Sequence, residues 1–282
     1  MDDSYDYQLP EEVDQRFDEI FAAHMTSKIY NQVSIRIQDW HMDTEDNKKF
    51  VVKTGRTTYF KSMVTNRAMD YRWKNGLTIR EMYECGPYLN PLKKSSLSNH
   101  IGFNGFLESQ DGYVVFVKRK DNLSIGKRTY GNSVGAALKA KYALNEAGKV
   151  DEAGLVRGIV KEVEDELKIT EKEFEGLSIN NIIAAYRDLV EGGKPQFLVV
   201  AKSILSKQQI EDNFIERCKD SNKAVKDEVL EDGDKLLWIK KEELEKICIL
   251  PNGMIYQGIE YPMMLSAVAS LVMYINYLKK GN

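Results

Sequence analysis

Three carboxylates, Glu162, Asp165 and Glu166, stand at spacings of three and four residues in the segment Lys161-Glu162-Val163-Glu164-Asp165-Glu166-Leu167-Lys168-Ile169. On a helix of 3.6 residues per turn this spacing puts them on one face, while Val156, Ile159, Val163 and Leu167 fall elsewhere. Three like charges that close repel one another. Solvent lowers that cost and a divalent cation removes it, since Mg2+ takes oxygen ligands, commonly a few carboxylates with waters and substrate phosphates. A solvated acidic helix face has the same pattern, so the carboxylates alone admit both readings.

The elements that must hold this face can be read from periodicity. Val156, Ile159, Val160, Val163 and Leu167 recur at helical spacing and predict a helix between about Glu152 and Lys168. Before it, Ile101 to Glu108 and Tyr113 to Lys118 read as two strands joined by Ser109-Gln110-Asp111-Gly112, followed by a Gly-bearing stretch from Asp121 to Gly135. After it, Ile182 to Asp188 and Gln196 to Lys202 read as strands joined by Glu191-Gly192-Gly193-Lys194-Pro195. Lys235 to Ile239 is a short strand, Glu242 to Lys246 starts a short helix, and Met263 to Leu278 is an apolar closing helix. Strands, helix, strands, helix describes an α/β chain with a mixed sheet between helices. Upstream, Asp14 to Tyr30 reads as an amphipathic helix, with strand-like runs at Val33 to Ile37, Phe50 to Lys53 and Thr57 to Phe60. Turns follow at Asn75-Gly76 and Gly86-Pro87. These predict a small mixed α/β module over residues 1–95, with a second domain over 96–282.

Composition sets the bounds. The 282 residues carry 40 Lys and Arg against 43 Asp and Glu, with 43% hydrophobic residues, which excludes a disordered chain, a coiled coil and a collagen-like repeat. The formal charge of −3 is a sum of unlike parts: −7 over residues 1–20, +10 over 21–150, −5 over 151–175 and −1 over 176–282. Cys85, Cys218 and Cys248 contain no CxxC pair, which argues against a zinc site or a disulfide framework and for a reducing, cytoplasmic compartment. No signal peptide is visible. Met263 to Leu278 is too short and too interrupted by Ser266, Ser270 and Asn276 to span a bilayer, and reads as a core or homodimer-interface helix.

The segment Lys161 to Ile169 resembles the core of the Nudix box, REUxEE with U a bulky aliphatic residue. Lys161 stands at the Arg, Glu162 at the first Glu, Val163 at U, Asp165 and Glu166 at the Glu pair, and Ile169 at the final aliphatic position. The resemblance runs over about residues 97–280 and implies a Nudix-like α/β/α sandwich. Departures accompany it. The box glycine and an upstream Glu would fall at Ala147 and Ala153, Lys161 replaces Arg, Asp165 is shorter than Glu, and Lys168 replaces a glycine. Gly135 is a better match for the loop glycine, with about a dozen extra residues before the helix.

The resemblance implies a metal-dependent hydrolase splitting the phosphoanhydride of a nucleoside diphosphate linked to another group. Glu162, Asp165 and Glu166 would hold Mg2+ or Mn2+, Lys161, Glu162 and Glu166 would act in catalysis, Lys161 by orienting the carboxylates or easing their repulsion, and Gly135 would lend its carbonyl. Asp227, Glu228 and Glu191 are open as the general base. A Tyr59 upstream of Thr65-Asn66, the entry Ser98 to Phe103 and the lengthened box look like the UDP-glucose-hydrolysing branch, which implies that Tyr59, Asn66 and Arg67 help bind a UDP-sugar. Arg187 is a further cleft-facing residue in this reading. A Nudix-like sensor that holds a nucleotide without cleaving it is the competing expectation.

Other chemistries find less support. Gly192-Gly193-Lys194-Pro195 lacks the spaced glycines and following Ser or Thr of a phosphate loop. His24, His41 and His100 have no Ser or Cys partner spacing. The basic patch of Lys118, Arg119, Lys120, Lys127 and Arg128 is either a plain solvated surface or a site better sized for a diphosphate than a polymer, and no nucleic-acid partner and no membrane partner is expected.

Overall fold

The structure is a computed structural model that describes residues 6–24, 30–46, 49–73, 76–119, 128–221 and 235–281. Asn75, Lys120, Lys127, Asp227 and Glu228, singled out above, lie outside these residues. The chain divides into two compact units, Met1–Gly102 with Ala137–Leu155 and Tyr186–Gln196, and Phe103–Ala136 with Val156–Ala185 and Phe197–Asn282. The units interleave along the chain.

In the first unit Val33–Met42 and Phe50–Thr58 form an antiparallel pair, with a bulge between Ile37 and Asp39. The hydrogen bonds from Ile35 N to Leu138 O, Ile101 N to Ile35 O and Leu138 N to Ile101 O tie residue 138 to this pair. That is why residues 137–155 belong with the N-terminal segment. Tyr59 and Phe60 do not extend the strand: the Thr58 side chain accepts from Lys61 N and starts the helix Tyr59–Met63. The expected N-terminal helix is observed as Glu11–Asp14 and Phe17–His24. Its apolar stripe packs Val13 and Ile20 with Val64, Met69, Trp73, Ile79 and Leu97 in one buried cluster. Each such side chain stabilises the fold by about 1.5–3 kcal/mol when fully buried.

The second unit is built on a mixed sheet whose strand order is Tyr130–Asn132, Tyr113–Lys118, Gly102–Glu108, Lys194–Lys202, Ile182–Asp188. Val134–Ala137 pairs with the third of these and Leu236–Lys240 with the second. The hairpin read from Ser109 to Gly112 is present, with Gly112 at φ +79°. Gly105 is required by packing, because a Cβ there would come within 1.7 Å of Val199 O. The closing helix Leu265–Lys279 buries Ala267, Leu271 and Tyr274 against Phe106, Phe116, Ile239 and Met254. Among the described residues, no helix is long and apolar enough to cross a membrane. The α/β class with a mixed sheet is the one expected.

Candidate functional site

The carboxylates lie on the helix Glu152–Leu167. Ile159, Val163 and Leu167 are fully buried and anchor it, leaving Glu162 and Glu166 half-buried and Asp165 exposed on the remaining surface. The helix ends where Lys168 adopts φ +54° and donates its N–H to Glu164 O at 2.9 Å, and the next residue, Ile169, is fully buried. Lys168 thus occupies a left-handed C-terminal position that favours glycine. The box departure at this residue is a departure in side chain, with the backbone turn retained. Lys161 ion-pairs with Glu164, the acid inside the box that the resemblance gives no role.

The donor types suit a hard divalent cation. Among the described residues, however, no three His, Cys, Asp or Glu side chains converge closely enough to hold one. Gly135 lies exposed in the strand Val134–Ala137, and a Cβ there would meet nothing within 4 Å. An open cavity of about 550 Å³ in the same unit is lined by Asp111, Gly112, Lys240, Lys241, Glu242, Glu245 and Leu278. None of the catalytic, metal-holding or substrate-binding residues expected from the sequence lines it.

The other site residues gather in the first unit, around the turn between Ile182–Asp188 and Lys194–Lys202. Gly192 and Gly193 take φ +65° and +79°, so this is the hairpin turn expected. Glu191 in that turn meets Lys194 Nζ at 2.6 Å and Arg67 Nε at 3.5 Å. Burial alone would push the Glu191 carboxyl up, but Lys194 and Arg67 overcome it and hold the group below the usual carboxylate range. Burial pushes the Lys194 ammonium down, with Glu191 partly restoring it. Burial and then Glu191 raise the half-buried Asp188 carboxyl. Burial, reinforced by Lys194 and Arg67, holds the His100 imidazole well below its ordinary value, so it is neutral.

Asn66 is fully engaged. Its Nδ2 donates to Asn99 Oδ1 at 3.1 Å and to Glu191 O at 2.9 Å, and its Oδ1 accepts from Asn99 N at 2.8 Å. Its place is therefore that of a bridge between three chain segments. Arg187 is likewise anchored, donating from Nε to Gly193 O at 2.7 Å and from Nη1 to Asn90 O at 2.5 Å. Tyr59 is half-buried with its ring 6.4 Å from that of His100. Sequence reasoning set Lys194 aside as part of a turn, found no triad partner for His100, and used Asn99 only within the Ser98 to Phe103 entry. The Ser98-Asn99-His100 run was the one signal available, since consecutive polar residues next to a strand are unusual candidates for burial.

No family model matches the chain, and no curated protein matches it. Solved structures do. A crystal structure described as a hydrolase of the Nudix family from Clostridium perfringens is similar at 12% identity and a TM-score of 0.35, covering 64% of this chain and 99% of that one. The MutT protein from Methanosarcina mazei Go1 is similar at 15% identity and a TM-score of 0.34, covering 64% and 95%. Shewanella oneidensis NrtR complexed with a 27mer DNA is similar at 10% identity and a TM-score of 0.34, covering 64% and 62%. The first of these is described as a Nudix-family hydrolase, the family whose box Lys161 to Ile169 resembles. At these identities the likeness concerns the course of the chain and carries no residue role across.

One expectation is corrected here. Nucleic acid was set aside as a partner on charge and aromatic content, but one of these structures holds DNA. The exclusion rested on the small size of the basic patch and its want of interleaved aromatics, and duplex binding needs only Lys or Arg contacts to phosphates, without aromatic stacking.

Proposed function

We propose that the protein is a Nudix-type hydrolase acting on the phosphoanhydride of a nucleoside diphosphate linked to another moiety, with UDP-sugars as the substrate class. The observation that carries this reading is the placement of Glu162, Asp165 and Glu166 on the accessible side of a helix whose other side is locked into the core by Ile159, Val163 and Leu167. Mg2+ or Mn2+ is the cofactor this reading implies, and it would supply charge neutralisation for a diphosphate, but the described acidic side chains do not converge on a place for it. The Lys161–Glu164 pair keeps a cation beside the acidic face.

Turnover of UDP-sugars, ADP-ribose and dinucleoside polyphosphates in Mg2+ tests the reading. Hydrolysis that disappears in Glu166→Gln supports it; a fully active Glu166→Gln overturns the carboxylate assignment. A second reading, a nucleotide-binding sensor without hydrolysis, is favoured by the lack of convergence among the described acidic side chains. It predicts a raised melting temperature with a nucleotide ligand in the absence of metal and no product.

A further inference from the structure

The closing helix Leu265–Lys279 is apolar on more than the side that faces its own core. Ala267, Val268, Leu271, Tyr274 and Ile275 are buried, as the inward stripe of a helix packed on a sheet should be. The opposite stripe runs through Leu265, Ala269, Val272, Met273 and Asn276. Leu265 is 51% exposed and Val272 38%, while Ala269 and Met273 are half-buried. Residues 265–278 include no Lys, Arg, Asp or Glu. A helix that meets water on its outer side ordinarily carries charge there, and one that is apolar all round is a buried helix. The outer stripe therefore has the composition of an interaction surface.

Charge stands only at the two ends, and the ends differ in sign. Lys279 and Lys280 are exposed at the C-terminal end, where cations suit the helix dipole. At the other end the strand Ile259–Pro262 leads into the helix and carries the exposed Glu260 next to Ile259, which is 56% exposed. This polarity selects the occupant. A second copy laid antiparallel, with the two-fold axis midway between Ala269 and Val272, sets Ala269 against the partner's Val272, a small residue against a larger one. The same operation brings Lys279 and Lys280 to the end of the partner helix that carries Glu260. A parallel copy would set lysine against lysine.

We infer that the outer stripe of the closing helix is a homodimer interface, in which two copies pair antiparallel through Leu265, Ala269, Val272 and Met273. The inference is independent of the hydrolase reading and concerns the second unit alone. A helix of this length, about 22 Å, presents less than the roughly 800 Å² per partner of a standard interface. The dimer is therefore expected to assemble and dissociate within the micromolar range.

Sedimentation velocity of the full chain across that range tests the inference, with far-UV circular dichroism as the check on folding. Wild type should shift from monomer to dimer as concentration rises. Val272→Glu puts a carboxylate in the middle of the stripe and should weaken association tenfold or more, as should Leu265→Glu. Should Val272→Glu not fold, Leu265→Glu decides. Glu260→Lys alone, and Lys279→Glu with Lys280→Glu, should each weaken the dimer by placing like charges together. All three changes in one chain restore opposite charges at both ends and should return association to within a few-fold of wild type. A wild type that stays monomeric throughout overturns the inference and leaves the stripe to another partner or to lipid. A dimer within twofold of wild type in both Val272→Glu and Leu265→Glu uses some other surface, and overturns it too. A triple variant weaker than either parent overturns the antiparallel pairing.

Discussion

Lys194 Nζ lies 2.6 Å from Glu191 Oε2 across a two-glycine turn, with both side chains largely withdrawn from solvent. Glu191 also engages Arg67 through its other oxygen, and its backbone carbonyl accepts from Asn66. Removing one partner of such a pair strands a buried charge, which typically costs 3–5 kcal/mol. Lys194→Ala is therefore expected to lower the stability measured by urea unfolding by roughly this amount, and a loss below about 1 kcal/mol would show that the pair is effectively solvated. The Glu191 carboxyl sits below its ordinary value, so its contribution is present above the unfolded pKa near 4.5 and is lost as pH falls through the folded one.

His100 supplies an acid sensitivity at higher pH. It is held neutral in the folded protein, while the unfolded chain takes up a proton below the ordinary value of 6.5. The unfolded state then binds more protons, so stability must fall as pH drops from 7 through 6.5 and below. Melting temperatures between pH 7.5 and 5 should decline in wild type and decline less in His100→Asn. Parallel curves would assign the acid lability to other groups.

Lys168 holds a left-handed backbone at φ +54°, where a Cβ is unfavourable. Lys168→Gly is expected to raise stability by about 1 kcal/mol, the relief of left-handed strain outweighing the added freedom of the unfolded chain. Chemical denaturation reads this directly, and a destabilised variant would mean that the Lys168 side chain contributes more than its backbone costs.

In the second unit the buried Tyr274 hydroxyl donates to Glu108 Oε1, and Lys241 Nζ reaches Glu108 Oε2 at 3.0 Å. Tyr274→Phe keeps the ring and removes the donor, so a loss of about 1–3 kcal/mol is expected. Tyr274→Phe with Glu108→Gln, set in a double-mutant cycle, isolates the coupling; a coupling near zero would refute the importance of the contact.

On the proposed hydrolase reading, in which Glu166 serves the reaction, Glu166→Gln should lower kcat by on the order of 10²-fold or more. Far-UV circular dichroism should be unchanged, since Glu166 lies off the buried stripe of its helix.

Much of the local architecture was legible because it rests on short-range rules. The helix Glu152–Leu167 follows from the spacing of Ile159, Val163 and Leu167, which are buried as that spacing demands. The hairpin at Ser109 to Gly112 follows from turn chemistry. Where local signals compete, the reading slipped: Tyr59 and Phe60 have strand propensity, yet the Thr58 cap commits them to a helix. The nucleic-acid exclusion slipped for a different reason, because it asked for a longer basic face with interleaved aromatics, which duplex binding through phosphate contacts does not need.

By itself the sequence determined which residues share a face, since 3.6-residue and two-residue periods are properties of the backbone. It thereby placed Glu162, Asp165 and Glu166 together and set their helix against an apolar core. Only the tertiary structure decided that Asn66 meets Glu191 across 125 residues, that Lys194 and His100 are buried beside them, and that residues 137–155 and 186–196 join the N-terminal segment. The physical reason is that such contacts are chosen by the burial and hydrogen-bond balance of the whole unit. No window of sequence contains it.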